Sequence, residues 1–196
     1  DSSDSERQMK EVLKDMGLDD KTFPPKYVLS VIGRQKDRLI SPEEMLQNSR
    51  SSSDLRLTQI AKAYCAYQKR LKDNNALDFD DILYVTVKLL QQEPEVREYY
   101  QRKFQYVLVD EYQDTNHVQY LLTSLLSGHW GNICVVGDDD QSIYRFRGAT
   151  IENILSFEEQ YPGARVIRLE QNYRSTQSIL DAANAVIAHN QGRKGK

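Results

Sequence analysis

The chain has 196 residues, of which 39% are hydrophobic and 28% charged, and its formal net charge is −3. That length supports one large domain or two small ones, with a core that needs no covalent staples. The composition excludes a collagen-like chain and global disorder, no apolar run nears the roughly 18 residues of a membrane span, and the net charge does not by itself announce a nucleic-acid binder.

Residues 1–105 read as almost wholly helical. Ser2 to Ser5 offer caps for a helix running to about Met16, with Gly17 as its stop. Pro24-Pro25 opens a second helix, because proline fits a first turn. Its set Val28, Ile32, Gln35 and Leu39 is only partly apolar and predicts a surface helix. Ser41-Pro42-Glu43-Glu44 combines a cap, a proline and acids near the positive end of the helix dipole. Asn48 to Asp54 predicts a loop. A long helix follows, with Leu57, Ile60, Ala61, Tyr64 and Leu71 at helical spacing, and Asp73-Asn74-Asn75 ends it. Asp78 caps the next helix, FDDILYVTVKLLQQ, and Pro94 starts a shorter one. Tyr64 and Tyr67 read as packing residues.

After residue 105 the pattern changes. Tyr106 to Asp110 (YVLVD) and Asn132 to Asp138 (NICVVGD) are short, valine-rich runs that predict strands buried on both faces. On that reading Cys134 is a buried, inert thiol. A helix from about Asn116 to Leu126 lies between the two runs. A helix near Ile151 to Tyr161, a third strand at Arg165 to Leu169 and a final helix from Ser175 to about Asn190 follow. Strand–helix–strand alternation predicts an α/β fold: a helical part, then a parallel sheet flanked by helices. The polar N-terminus is no secretory signal. Two cysteines without a CxxC pair and three scattered histidines argue against zinc and suit a reduced, cytoplasmic setting.

Both predicted central strands end in acids: Asp110 and Glu111 leave one, and Asp138, Asp139 and Asp140 leave the other. Ligands of open parallel sheets bind beyond these strand ends. If the strands are neighbours, four or five carboxylates crowd one edge, and a magnesium ion shared with phosphate oxygens would relieve their repulsion. Asp114 and Thr115 could instead cap the helix near Asn116. Two acidic strand ends in one sheet favour the metal–phosphate site, with Glu111 as general base for a water attacking a phosphate.

DEYQDTN (Asp110 to Asn116), GDDDQSIYRFRGA (Gly137 to Ala149) and LEQNYRST (Leu169 to Thr176) occur in order, preceded by LDFDDIL (Leu77 to Leu83). Together they resemble the UvrD/Rep/PcrA group of superfamily 1 DNA helicases, and the resemblance covers essentially the whole chain. It implies an inserted helical subdomain at residues 1–76, the latter part of a first RecA-like ATPase domain at 77–170, and the start of a second at 171–196. It implies ATP and Mg²⁺ as cofactors, with Asp110 organising the metal and Glu111 activating water. Gln141 would sense the terminal phosphate, Tyr173 would stack on adenine, and Arg174 would be an arginine finger. Phe79, Tyr144, Phe146 and Arg147 match positions that grip single-stranded DNA, where base–aromatic stacking tolerates any sequence. Many relatives carry tryptophan where this chain has Phe146, which keeps the stacking face but loses area.

The parent would hydrolyse ATP, move 3′ to 5′ on single-stranded DNA and unwind duplex junctions. The phosphate-cradling pattern G-x-x-x-x-G-K-[ST] does not occur in these residues. The resemblance therefore implies an internal piece of a helicase, inactive by itself, whose partners are DNA and the remainder of the helicase chain and whose sheet has an unpaired apolar edge. The alternatives are a metal-dependent phosphohydrolase or nuclease built on the acids alone, and a non-catalytic module that binds DNA or a partner.

Overall fold

A computed structural model of the chain describes residues 1–52, 54–142 and 149–188. The chain divides into two units, residues 1–105 with 117–132 and residues 106–116 with 133 onward.

The first unit is helical: α1 (Ser2–Asp15), α2 (Pro25–Lys36), α3 (Pro42–Arg50), α4 (Leu55–Asp73), α5 (Phe79–Gln92), α6 (Pro94–Lys103) and α7 (His117–Ser127). The punctuation residues act where the sequence places them. Gly17 leaves α1 at φ 70, a left-handed exit that suits glycine. Asn75 turns the chain after α4 at φ 49. Ser41 and Glu44 cap α3 reciprocally, at 3.1 and 2.7 Å. Asp78 and Asp81 do the same for α5, at 2.8 and 3.2 Å. Such boxes satisfy amide groups that the first turn leaves without partners, at roughly 1 kcal/mol for the cap residue.

The core joins α1 through α4. Met9, Val12 and Leu13 meet Val28, Val31 and Ile32 of α2, Met45 of α3, and Ile60, Ala61, Tyr64, Tyr67 and Leu71 of α4. Two expectations change here. Helix α2 is not a surface helix, because its buried stripe runs through Val28, Val31, Ile32 and Lys36. That stripe keeps helical spacing, and its last member is a lysine, which a count of apolar residues passes over. The segment from Asn48 is not all loop, since α3 continues to Arg50. Ser49 stays buried inside it by donating its hydroxyl to the Leu46 carbonyl at 2.8 Å.

The second unit carries the sheet. Strands β1 (Val107–Val109) and β2 (Ile133–Val135) pair in parallel, with Val107 opposite Ile133, Leu108 opposite Cys134 and Val109 opposite Val135. Short 3-10 turns at Tyr112–Asp114 and Asp139–Gln141 follow the strands, and α8 (Glu152–Leu155), α9 (Phe157–Gln160) and α10 (Gln177–Ile187) complete the α/β unit. Tyr112 is buried edge-on against Phe157, with ring centroids 5.8 Å apart.

Three further expectations change in this unit. Burial on both sheet faces is not realised: Leu108 is 76% exposed and Cys134 is exposed, because side chains at paired positions share a face and the described residues do not cover that one. Residues 165–169 form no strand, and Val166, Ile167 and Leu169 stay exposed. Branched residues favour a ladder only when a partner edge supplies one. The helix near Ile151 to Tyr161 is broken at Ser156, whose hydroxyl donates to the Glu152 carbonyl at 2.6 Å and competes with the helical pattern.

Candidate functional site

The two acidic strand ends lie side by side. Beyond β1 and β2 the ladder continues, as Val136 N–H donates to Val109 O at 2.8 Å and Tyr112 N–H donates to Val136 O at 2.9 Å. The chain therefore passes Asp110 and Glu111 on one edge and Val136 and Gly137 on the other before either segment turns away.

Glu111 makes the turn in a left-handed conformation, φ 51 and ψ 42. For a residue with a Cβ this costs about 1–2 kcal/mol, so the surroundings must enforce it. Asp110 helps by accepting the Glu111 N–H on Oδ1 at 2.9 Å. Gln113 does the rest. Its side chain is buried; Nε2 donates to Glu111 Oε2 at 2.7 Å, and Oε1 accepts the Asp138 N–H at 3.0 Å. One amide thus ties the acid after β1 to the backbone after β2. An amide suits this position because it donates and accepts at once.

Gly137 allows the close approach. A Cβ there would lie 2.6 Å from Gln113 Oε1 and 2.8 Å from Ile154 Cδ1. Thr115 and Asn153 brace the far side of the turn: Asn153 Nδ2 donates to Thr115 O and Oγ1, both at 3.1 Å, and Thr150 N–H donates to Thr115 O at 3.0 Å. Thr115 therefore ties the turn to residues 150–153. Neither Gln113 nor Asn153 is singled out by the sequence. The available signal is an amide two residues past an acid pair at a strand end, which is weak without knowledge of the facing strand.

Asp138 turns its carboxylate into its own loop, accepting Asp140 N–H at 3.1 Å and Gln141 Nε2 at 2.9 Å. Glu111 is thus held by Gln113, and Asp138 is engaged within its own loop. Among the described residues no three His, Cys, Asp or Glu side chains are placed to share a metal ion. The exposed carboxylate of Asp110, fixed through one oxygen, still suits a hard cation that takes one or two carboxylates and completes its shell with phosphate oxygens and water.

Tyr173 and Arg174 share a turn of their own. Asn172 Oδ1 accepts the N–H groups of Arg174 and Ser175, both at 2.9 Å, which forms a turn ahead of α10. Tyr173 is 92% exposed there and Arg174 is exposed. Among the described residues no hydrogen bond or ion pair joins their side chains to Asp110, Glu111 or Gln141. Phe79 stands on the first turn of α5 and is 66% exposed. Tyr144, Phe146 and Arg147 lie outside the described residues, as does the side chain of Asp139. No helix among the described residues is long and apolar enough to cross a membrane.

Comparison with known proteins gives this geometry a family. The model of the UvrD/REP helicase N-terminal domain matches residues 1–162. All of this chain aligns, at 52% identity over 196 residues, with the ATP-dependent DNA helicase PcrA of Bacillus subtilis. It aligns at 51% over 203 residues with the ATP-dependent DNA helicase UvrD1 of Mycobacterium tuberculosis, and at 50% over 196 residues with PcrA of Staphylococcus epidermidis. The chain spans about a quarter of each relative's length, 26% in every case. The match reaches from α1 past both acid-ended strands and through α9, so the chain belongs to the UvrD/REP helicase family.

Proposed function

We propose that this chain is the segment of an ATP-dependent DNA helicase that carries the water-activating acid and part of the grip on single-stranded DNA. The observation that carries the reading is the Glu111–Gln113–Asp138 knot, in which a buried amide aims a strained acid at the edge where parallel-sheet proteins bind phosphates. Residues 1–76 are assigned to an inserted helical subdomain, 77–170 to the latter part of a first RecA-like domain, and 171–196 to the start of a second. In the parent protein this segment works with the remainder of the helicase chain, in the cytoplasm.

ATP with Mg²⁺, when bound, supplies the phosphoanhydride bond and neutralises its charge. The chain's own residues then have distinct tasks. Asp110 offers the metal a carboxylate already fixed by a backbone N–H. Glu111 accepts a proton from the attacking water, and Gln113 sets its direction by engaging Oε2 alone. Gln141 exchanges its bond to Asp138 for one to the terminal phosphate, which would connect phosphate state to the loop that continues toward Tyr144, Phe146 and Arg147. Tyr173 and Arg174, exposed on one turn, are free to meet a nucleotide as adenine stack and arginine finger. Phe79 stacks on a base, and the motor moves 3′ to 5′.

The test is Mg²⁺-dependent ATP hydrolysis, with and without single-stranded DNA, by this chain and by a longer polypeptide that adds a phosphate-cradling loop. The expected result is no turnover by the chain alone and DNA-stimulated turnover by the longer form, lowered roughly 10²–10⁴-fold by Glu111→Gln. Turnover by the chain alone that Glu111→Gln abolishes would overturn the inactive-segment reading. Turnover by the longer form that is indifferent to Glu111→Gln would overturn the role of the acid.

A further inference from the structure

The helicase reading leaves one built feature of the helical unit without a task. Lys36, at the end of α2, is 1% exposed. Its ammonium lies 2.7 Å from Asp78 Oδ2 and 2.9 Å from Asp81 Oδ1, and 5.9 and 5.6 Å from the ring centroids of Tyr64 and Tyr67 on α4. Gln68 Nε2, also on α4, donates to Asp81 Oδ1 at 2.9 Å. The other oxygens of the two acids serve the reciprocal cap of α5. All four carboxylate oxygens are therefore engaged, and the first turn of α5 is fastened to α2 and α4 at once.

Two residues lie between these anchors. Asp80 faces α2, where its Oδ2 comes within 2.8 Å of a Cβ built at Gly33. Phe79 is turned to solvent beside Leu77 and Ile82, which are also more than half exposed. A buried ion pair is seldom more stabilising than a well-packed apolar group of the same volume, and its directional bonds can serve geometry instead. The cap alone would start α5. It would not fix the rotation of that start relative to α2 and α4, and this rotation decides which side chain faces outward.

We propose that Lys36 is a positioning residue for Phe79. Through Asp78 and Asp81 it holds the first turn of α5 so that the Phe79 ring, with Leu77 and Ile82 around it, is presented as a platform for a nucleobase of single-stranded DNA. The proposal rests on the reading of Phe79 as a base-stacking contact.

The experiment compares binding of the full chain to an oligothymidylate of roughly ten nucleotides, a typical site size, and to an abasic strand of equal length. The ratio of the two affinities reports stacking, because phosphate contacts contribute equally to both strands. The unmodified chain is expected to give a ratio of roughly 5 to 150, and Phe79→Ala a ratio near one. Lys36→Met, shown by circular dichroism to be folded, is expected to lower the ratio severalfold. Adding it to Phe79→Ala should change nothing further. Asp78→Ser keeps a capping oxygen but removes the bond to Lys36. It is expected to lower the ratio too, and it decides the matter if Lys36→Met does not fold. A folded Lys36→Met or Asp78→Ser that retains the full ratio, where Phe79→Ala loses it, overturns the role of Lys36 and leaves Phe79 in place. A ratio near one in the unmodified chain, or one that Phe79→Ala does not alter, overturns the stacking reading and the proposal with it.

Discussion

Replacing Gln113 by leucine should loosen the acidic edge without emptying it of volume. The buried amide makes two bonds, to Glu111 Oε2 at 2.7 Å and from Asp138 N–H at 3.0 Å. A bond to an ionised carboxylate contributes about 1.5–3 kcal/mol, and a part-buried N–H such as that of Asp138, stripped of its acceptor, costs up to about 1–3 kcal/mol. Glu111 is exposed, so water replaces part of the first bond. The lost bonds therefore cost about 2.5–4 kcal/mol, the lower half of the combined range. The loss should be local, because Glu111 is then free to leave its left-handed conformation and recover about 1–2 kcal/mol of strain. Amide hydrogen exchange across residues 136–142 reads the effect directly. The Asp138 N–H should exchange at least tenfold faster in Gln113→Leu, while amides inside α4 keep their protection. Unchanged exchange at Asp138 would mean that the amide does not hold the two strand ends together, and the knot would lose its place in the mechanism.

Gly137→Ala should also damage this edge. Its Cβ would displace the buried Gln113 carboxamide and Ile154, and it sits 3.3 Å from the Gln113 backbone nitrogen, so the chain itself must give. A loss of about 1–3 kcal/mol is expected, read as a lower urea midpoint for the second unit, and an unchanged midpoint would refute the close packing. In the helical unit, burial, with the charge of Asp80 adding to it, pushes the Asp37 carboxyl up to about 6. The folded state then holds a proton that the unfolded chain, titrating near 3.8, has released. That contribution to stability is full below about pH 4, falls as pH rises to about 6 and is flat above. Asp37→Asn should raise the melting temperature at pH 7 and flatten the pH dependence of stability between 4 and 6. A melting temperature at pH 7 unaffected by Asp37→Asn would refute the burial cost.

Local chemistry was legible at the helix caps and turns, which depend on neighbours in sequence. Gly17 stops α1, Pro25 and Pro42 open α2 and α3, Ser41 and Glu44 cap each other, and Asp78 begins α5, because caps and turns involve residues within about four positions. Two valine-rich runs separated by a helix implied a parallel pair, and Val107 opposite Ile133 bears this out. Four motifs in order identified the family, and the match over residues 1–162 agrees. Pattern also misled where burial depends on partners. Leu108 and Cys134 look like core residues, yet their face is open among the described residues. Residues 165–169 look like a strand, yet they find no ladder.

Tertiary structure decided what hydrogen bonds and ion pairs across long separations decide. Lys36 reads as one more surface lysine until α2, α4 and α5 close around it, 42 residues from Asp78 along the chain. Gln113 reads as a loop amide until β2 brings Asp138 to it from 25 residues away. Caps, turns, the helices of the first unit and the family could be read from the chain alone, since propensity, capping and periodicity are properties of short windows. Only the folded chain determined which acid is held outward and which is turned inward. That choice belongs to a buried amide and a buried ammonium, whose partners are distant in sequence and adjacent only in space.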